Sequence, residues 1–407
     1  MSEIAQDTAI QLLLACLANP EGDFADQLSD LSAKESERLL ALAQASRCTP
    51  LLHHIIAKSG VELPVSPQLA HTARDQALTS LAQARGLVRA VQILRQAGME
   101  PIALKGVALA WRDYPAPQMR VLRDVDLLLS IDQVVQAHQL LLSCEGYRPA
   151  PWAGQYGAEY GHQMPEILDE THGMVIELHH RLNARGWSGD EQLTRMARTQ
   201  VDEIELLGER IRVPTTPVNL LHLVEHATYH HMFANGPAIM ADFHFLCRMN
   251  TIDWESVIAE ARELDLARSL ALLATVCGHY GATWVPQSLL SGEQLPDAAV
   301  ARAVQAMFAD QDTHLQNDQM WRLARSSGGK IGPASALSRI FSPNRHQLAR
   351  LSGRAPDSLW RWLGYPKWLM EKGGRFLSAS SAATDAGGFA SYAALRDWIE
   401  TGKRLGE

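Results

Sequence analysis

The amino-acid sequence predicts an α+β protein in which a mixed β-sheet core is flanked by a helical N-terminal region and an all-α C-terminal domain. Apolar residues recur at helical spacing through residues 1–98, and again from Pro217 to about Phe341. Between these regions, short β-type runs alternate with turns that contain glycine or proline. The predicted division is a helical region at 1–98, a sheet core at 99–215, a helical domain at 216–372, and a flexible linker with a terminal helix at 373–407, the linker ending near Ser391.

The first half of the predicted core contains two strands, each followed by a helix. An apolar run at 102–104 ends at a Lys105-Gly106 turn, and a short helix is predicted from there to about Tyr114. The next strand is predicted within residues 123–129, and a helix over 131–145 follows it. This order brings the turn and the second strand into one small sheet.

The second half of the core is predicted to consist of two antiparallel hairpins. The β-type runs at 162–168 and 174–180 are separated by a polar turn that contains glycine. A smaller hairpin is predicted at 203–213 around Gly208. Thr216 and Pro217 then have the residue types of a helix N-cap and first helical position.

The composition restricts the possible classes of protein. The chain has 407 residues, of which 46% are hydrophobic and 20% charged, as expected for a folded globular protein with two or three packed units. Its net charge of -8 argues against attraction of the whole protein to nucleic acid. The five cysteines form no CxxC pair, and no run of about 18 apolar residues is uninterrupted. We therefore predict a cytoplasmic protein with no zinc ribbon, disulfide framework or transmembrane segment.

Two aspartates in the second strand are the leading candidates for a metal site. Alternate residues of a strand point to the same side, so Asp124 and Asp126 project together while Val125, Leu127 and Leu129 face the core. Two adjacent carboxylates repel each other unless a cation lies between them, and hard oxygen ligands favour Mg²⁺. The alternative is an acidic strand face that is merely solvated, because Asp-x-Asp also occurs by chance.

The turn before this strand is predicted to hold phosphate groups. Gly106 allows close backbone approach, and Lys105 supplies a positive charge, although a surface lysine at a strand end is the alternative. Arg120 and Arg123 flank the acidic pair, where they either bind phosphate or neutralise the two carboxylates. A nucleoside triphosphate, with Mg²⁺ or Mn²⁺, is the ligand that this combination favours.

Glu177 is the predicted third carboxylate. It lies in the middle of a β-type run, on the same side of the strand as His179, where an acidic residue needs a partner. It is predicted either to complete the metal site or to act as general base on an acceptor hydroxyl. The alternative is an ion pair with Arg181 on an open sheet face.

These motifs resemble the uncharacterised bacterial nucleotidyltransferase family of the DNA polymerase β-like superfamily. The resemblance covers roughly residues 30–290, and it rests on Leu104-Lys105-Gly106, Tyr114-Pro115, Arg120, Asp124-Val125-Asp126, Ile176-Glu177-Leu178-His179, His226, His230 and Ala241-Asp242. It implies transfer of a nucleoside monophosphate from an NTP to a hydroxyl, with ATP as the expected NTP and two metal ions held by Asp124, Asp126 and Glu177. Lys105-Gly106-Val107 stands where the superfamily often has Gly-Gly or Gly-Ser.

A histidine-rich helix admits three interpretations. His222, His226 and His230 are spaced at i, i+4 and i+8, so they lie on one helical face. They are predicted to pack the C-terminal domain against the core and to hydrogen-bond Asp242, or else to contact substrate, as is His179. The third interpretation is a second metal site in a metallohydrolase.

The segment 321–376 is the most basic part of the chain. It contains eleven Lys or Arg residues and two acidic residues, together with Trp360, Trp362, Tyr365 and Trp368. This composition predicts contact with an acidic partner, a nucleic acid or a lipid surface. The alternative is a solvated helix with aromatic anchors in the core.

The acceptor of the transferred group is expected to be a protein, an RNA or a small molecule. A non-catalytic nucleotide-binding or partner-binding accessory protein, as in a biosynthetic or toxin–antitoxin locus, is the main alternative function.

Overall fold

The computed structural model describes residues 6–153, 158, 161–183, 187–292, 295, 298–309, 314, 317–318, 321, 345–354, 358–370 and 386–402. The chain divides into two compact units. The first contains Met1–Trp152 and Gly157–Phe308, and the second contains Ala153–Tyr156 and Ala309–Glu407. The predicted boundary between residues 372 and 373 lies outside the described residues.

The N-terminal region is helical, as predicted. A reciprocal pair of hydrogen bonds between Ser32 and Glu35 caps the third helix, and Gly98 follows the last one with a φ of +77°. The helices are α1 (Thr8–Ala18), α2 (Ala25–Ser29), α3 (Ala33–Ala45), α4 (Thr49–Ser59) and α5 (Ser66–Gln96). The 31-residue α5 packs one face against the sheet and carries Leu87, Val91 and Leu94 into the core.

The first unit contains a seven-stranded mixed sheet, which confirms the α+β prediction. Its strands are β1 (Ile102–Ala103), β2 (Val125–Leu128), β3 (Tyr147–Pro149), β4 (Ile167–Asp169), β5 (Met174–His179), β6 (Val201–Leu206) and β7 (Glu209–Pro214). The spatial order is β3-β4-β5-β2-β1-β7-β6. Strands β2 and β5 pair in parallel at the centre, whereas β1 and β2 are antiparallel.

Both predicted hairpins are present. Strands β6 and β7 pair along six residues each around Gly208, as expected. Strands β4 and β5 are antiparallel too, but β4 begins at Ile167, and within 162–166 only the isolated bridge of Gln163 to His179 shows strand pairing. The helix after the second hairpin begins at Thr216 with Thr215 as its N-cap, one residue earlier than predicted.

Short helices connect the strands. The turn at Lys105 leads into α6 (Gly106–Ala108), which continues as a π-helical turn at Leu109–Asp113, and a 3₁₀ turn follows at Pro117–Met119. Helix α7 (Ile131–Ser143) follows β2, as predicted, and α8 (Asp190–Thr199) precedes β6. Strand β3 and helix α8 were not predicted from the sequence.

Both units contain helices that follow the sheet in the chain, and the longer series lies in the first unit. They are α9 (Thr216–Val224), which runs into a π-helical turn at Glu225–His230, then α10 (Ala238–Met249), α11 (Trp254–Glu263), α12 (Ala267–His279), α13 (Gln287–Gly292) and α14 (Ala299–Met307). In the second unit, α15 (Arg345–Ser352) packs against a 3₁₀ segment at Leu359–Gly364, and α16 (Ala386–Thr401) is the last described helix. Residues 386–391, which we predicted as part of the linker, are therefore helical, and residues 373–385 of the predicted linker lie outside the described residues. Among the described residues, no helix combines the length and apolarity needed to cross a membrane.

Candidate active site

The parallel pairing of β2 and β5 places the predicted acidic residues side by side. Asp126 lies directly opposite Glu177 in the sheet register, and His179 lies two residues further along β5. Val125, Leu127 and Leu129 point into the core on the other face, together with Ile176 and Leu178. The alternation expected for both strands is confirmed.

Asp126 is the centre of this cluster. Its Oδ1 lies 2.7 Å from Nε2 of His179, and its Oδ2 lies 3.1 Å from Nζ of Lys105. Burial acts to raise the pKa of this carboxyl, but Lys105 and His179 together hold it well below the ordinary aspartate value. Asp126 is therefore an anion with both oxygens engaged.

His179 joins the two carboxylates. Its Nε2 also lies 3.4 Å from Oε2 of Glu177, so potential ligand atoms of Asp126, Glu177 and His179 all fall within 4.8 Å of one another. Burial lowers the pKa of His179, but Asp126 raises it by more, so the pKa lies above the ordinary histidine value. We predicted His179 as a substrate-contacting or structural residue, and the Glu177-x-His179 spacing is the signal that could have indicated its position beside both carboxylates.

Asp124 has a different environment from Asp126. It lies just before β2 and is half-buried, and it makes no hydrogen bond or ion pair with any described residue. Burial raises its pKa to about 6, with further increases from Asp126 and Glu177, against which Lys105 and Arg123 act. Its carboxylate is not part of the cluster in which ligand atoms of Asp126, Glu177 and His179 lie within 4.8 Å of one another.

Lys105 is placed by an unusual backbone conformation. Its φ of +45° lies in a region that residues with a side chain seldom adopt, and its side chain is only 13% exposed. Burial lowers its pKa, but Asp126 and Asp124 raise it by more, so the ammonium remains charged. This strained backbone conformation places the Lys105 ammonium among the carboxylates. This environment differs from that of a surface lysine at a strand end.

Gly106 packs closely against the loop that precedes β2. A Cβ at this position would lie 2.8 Å from Cδ2 of Leu122, closer than Cβ atoms ordinarily approach another atom. Gln83 of α5 donates a hydrogen bond to the carbonyl of Leu122 at 3.2 Å, which fixes the same loop. The close approach that we expected at Gly106 is thus to Leu122, and a contact of Gly106 with phosphate stays a prediction.

Arg120 is paired with Asp242 on α10. Its Nε lies 2.7 Å from Oδ1 and its Nη2 lies 3.0 Å from Oδ2, and the hydroxyl of Tyr114 donates to Oδ1 at 2.7 Å. The third nitrogen, Nη1, donates to the carbonyl of Val121. The guanidinium is therefore occupied within the protein, which favours a structural role over the nucleotide-binding role that we predicted for Arg120. Arg123, by contrast, is exposed.

Glu177 does not pair with Arg181, the alternative that we considered. Nη1 of Arg181 lies 3.1 Å from Oδ2 of Asp190. The Glu177 side chain is 19% exposed, compared with 7% for Asp126. Of the two facing carboxylates, Glu177 is therefore the more accessible to an incoming ligand.

The histidine helix faces β5, but it does not hydrogen-bond Asp242, so that part of our prediction is wrong. Nδ1 of His230 lies 3.0 Å from Oδ1 of Asn183, and Nε2 of His226 lies 3.2 Å from Nε2 of His231. Asp242 is instead saturated by Tyr114 and Arg120. Burial lowers the pKa of His226 well below the ordinary histidine value, and Lys105 lowers it further, so the ring is neutral.

His222 is enclosed in the core. Both of its ring nitrogens are buried without a hydrogen-bond partner among the described residues. Burial and nearby Lys105 lower its pKa well below the ordinary value. A neutral, enclosed ring of this kind agrees with the packing interpretation of the helix.

A family model described as "Uncharacterised nucleotidyltransferase" matches residues 32–281. This match covers more than half of the 407 residues and includes every site residue from Lys105 to Asp242. The chain belongs to this family of uncharacterised nucleotidyltransferases. A search of curated protein sequences finds no match to the chain. Family membership makes the protein a transferase of phosphorus-containing groups, and the general reaction is transfer of a nucleotidyl group.

The donor set of this nucleotidyltransferase fits a hard divalent cation. Asp124 is a half-buried carboxylate with no protein partner, and it lies within electrostatic reach of two further carboxylates. Mg²⁺ takes oxygen ligands, one or two of them from carboxylates, and the remainder from water and phosphate. Ligand atoms of Asp126, Glu177 and His179 lie together and could hold such an ion, with the Asp124 carboxylate nearby as a further oxygen donor.

The Asp124→Asn variant of the nucleotidyltransferase should be more stable than the wild type in chelator at neutral pH. The folded-state pKa of about 6 lies above the ordinary aspartate value, so the protonated form favours folding and this contribution is lost as pH rises from about 4 to about 6. We expect the variant to gain about 2 kcal/mol above pH 6 and nothing near pH 4. Urea unfolding at both pH values measures the difference, and an equal effect at both would contradict the assignment.

Proposed function

We propose that this nucleotidyltransferase transfers a nucleoside monophosphate from a magnesium-bound NTP, with ATP as the expected NTP, to a hydroxyl acceptor and releases pyrophosphate. The observation that carries the proposal is the direct opposition of Asp126 and Glu177 on parallel strands, with Asp124 unpaired beside them. Membership of the bacterial, DNA polymerase β-like group of these enzymes belongs to the same proposal. It is supported by the Asp-x-Asp strand and the third carboxylate on the neighbouring strand.

Each site residue has a definite role in this proposal. Asp124, Asp126 and Glu177 would hold the divalent cations, which would polarise the α-phosphate and stabilise the leaving pyrophosphate. His179 donates a hydrogen bond to Asp126 and fixes the direction in which that carboxylate points. Lys105, whose ammonium already lies among the carboxylates, supplies positive charge for the phosphate chain.

The proposed reaction breaks one P–O bond and forms another. The acceptor oxygen attacks the α-phosphorus in line, and the bond from that phosphorus to the oxygen bridging it to the β-phosphate breaks. The acceptor proton passes to a carboxylate, for which Glu177 is better placed than Asp126 because more of its side chain is exposed. The products are the nucleotidylated acceptor and pyrophosphate.

Labelled nucleotides test this proposal directly. The protein is incubated with each of the four α-labelled NTPs, with Mg²⁺ or Mn²⁺, in cell extract, and the labelled product is isolated and identified. We expect label from the α position to enter an acceptor and label from the γ position to remain in pyrophosphate. Transfer of γ label alone would contradict nucleotidyl transfer, because it would indicate phosphoryl transfer instead.

A non-catalytic nucleotide-binding function is the second candidate. It is favoured by one observation, namely that both oxygens of Asp126 are already engaged by Lys105 and His179. Binding of an NTP by the pure protein without transfer of either label in any extract would support this alternative. The metallohydrolase alternative is disfavoured, because in the described part of the chain no three potential ligand atoms of the histidine helix lie close together.

The predicted acidic partner of segment 321–376 also remains a proposal. Only residues 321, 345–354 and 358–370 of this segment are described. Trp368 is buried, which agrees with an aromatic anchor, whereas Trp360 and Trp362 are 68% and 51% exposed. The exposed pair is the part of the segment that a partner would contact.

A further inference from the structure

Arg47 occupies a position at which glycine is usual. Helix α3 ends in a pair of backbone hydrogen bonds, from Cys48 to Ala43 at 2.9 Å and from Arg47 to Gln44 at 3.1 Å. This pattern is a Schellman motif, whose next-to-last residue adopts a left-handed conformation and is most often glycine. Arg47 adopts that conformation with a φ of +56°.

The same motif elsewhere in the chain follows the usual preference. Gly98 and Gly281 occupy the equivalent position at the ends of α5 and α12, and Asp265 occupies it at the end of α11. Aspartate tolerates a left-handed backbone better than other residues with a side chain do, whereas arginine has no such advantage. An arginine here costs stability on the order of 1 kcal/mol relative to glycine. A side chain on a strained backbone position is a candidate for a function, because the strain has a cost in stability that glycine would avoid.

The fold directs Arg47 towards the proposed active site. Helix α4 begins two residues after Arg47 and packs against the 3₁₀ turn at Pro117–Met119, which leads into the loop before β2. The charges of Arg123 and Asp124, both in that loop, act on the Arg47 guanidinium. Arg47 and Arg123 are exposed, and neither side chain makes a hydrogen bond or ion pair with a described residue.

We propose that Arg47 and Arg123 together bind the β- and γ-phosphates of the nucleotide, so that the helical N-terminal region completes the triphosphate site. This inference rests on the proposed function and extends it to a residue outside the sheet core. Two exposed guanidiniums repel each other, and an anion between them removes that repulsion. Guanidinium groups also match phosphate oxygens in geometry and can bind two of them at once.

The charge balance of the site agrees with this assignment. A triphosphate with two divalent cations bound is close to neutral, which leaves the three carboxylates Asp124, Asp126 and Glu177 to be balanced. Lys105 already pairs with Asp126, and Arg123 and Arg47 both act on Asp124. Lys105, Arg123 and Arg47, together with His179 beside Asp126, therefore supply positive charge that offsets the three carboxylates once the metal-bound nucleotide is present.

The Arg47→Gly variant tests the proposal without endangering the fold, because glycine suits the left-handed position. Calorimetry measures binding of the four α,β-methylene NTPs with Mg²⁺ to the wild type, and the analogue bound most tightly is used for the comparison. We expect Arg47→Gly to bind it about tenfold more weakly, with Kd for the corresponding NMP unchanged. Its Tm should equal or exceed that of the wild type.

Asp265→Gly is the matched control, because it places glycine at the same position of the same motif in α11, away from the cations of the site. This variant should bind the triphosphate analogue as the wild type does. Binding by Arg47→Gly within twofold of the wild type would overturn the inference, as would an equal loss of affinity for the NMP or a fall in Tm. If the wild type binds none of the analogues, the proposed function itself fails, and the inference fails with it.

Discussion

The Asp126→Asn variant is expected to transfer nucleotidyl label at a rate lower by a factor on the order of a thousand. Asp126 is the only carboxylate of the site that contacts both Lys105 and His179, and it faces Glu177 across the sheet. Asparagine keeps the size of the side chain but removes the negative charge that a divalent cation requires. The assay follows α-label transfer at saturating nucleotide and at a range of Mg²⁺ concentrations.

The stability of Asp126→Asn must be measured together with its activity, because Asp126 neutralises the buried Lys105 ammonium. Loss of this partner leaves the Lys105 ammonium, which is only 13% exposed, to interact with Asp124 and Glu177 alone. The double variant Asp126→Asn/Lys105→Met removes both charges and should recover the Tm without recovering transfer. Asp132→Asn, an exposed aspartate at the start of α7, is the matched control. Transfer by folded Asp126→Asn at more than a tenth of the wild-type rate would remove Asp126 from the mechanism.

The side of the sheet on which each site residue lies was predictable from the sequence. Alternation along a strand is a local property, so the positions of Asp124 and Asp126 relative to Val125 and Leu127 require no knowledge of the rest of the fold. The same reasoning placed Glu177 and His179 on one face of β5. The helical lead-in and both hairpins were predictable for similar reasons, since helical periodicity and glycine-containing turns act over a few residues.

Contacts between distant segments were not predictable in this way. The register that sets Asp126 opposite Glu177 joins two parallel strands about fifty residues apart, and it depends on how α5 and α7 pack on the sheet. The hydrogen bond from His179 to Asp126 follows from that register. Similarly, nothing local indicates that Arg120 will pair with Asp242, 122 residues further along the chain.

The elements that the sequence did not reveal have weak local signals. Strand β3 has three residues at the edge of the sheet, two of them exposed, so it lacks a buried face that would produce an alternating pattern. Helix α8 is amphipathic but has no side-chain cap at its N-terminus. Its buried Leu193 and Ala197 are held by packing against other elements rather than by strong helix signals at its ends.

Asp242→Ala is expected to have the largest effect on stability, about 3–5 kcal/mol, because it removes one partner of a buried ion pair and leaves the other charge in place. Asp242 is almost fully buried on α10, and its two oxygens accept three hydrogen bonds from Arg120 and Tyr114. Its removal leaves the Tyr114 hydroxyl and two guanidinium nitrogens of Arg120, Nε and Nη2, without acceptors between α10 and the loop before β2. Urea unfolding at neutral pH measures the loss.

A double-mutant comparison separates the ion pair from simple packing. The Arg120→Met/Asp242→Leu variant replaces both charges by apolar groups, so it should recover most of the stability that Asp242→Ala loses. If Arg120 acts only through its ion pair with Asp242, the double variant should also bind the triphosphate analogue with wild-type affinity. Recovery of stability with binding still weakened at least tenfold would instead show that Arg120 contacts the nucleotide. The structure favours the first result, because every guanidinium nitrogen of Arg120 already has an acceptor within the protein.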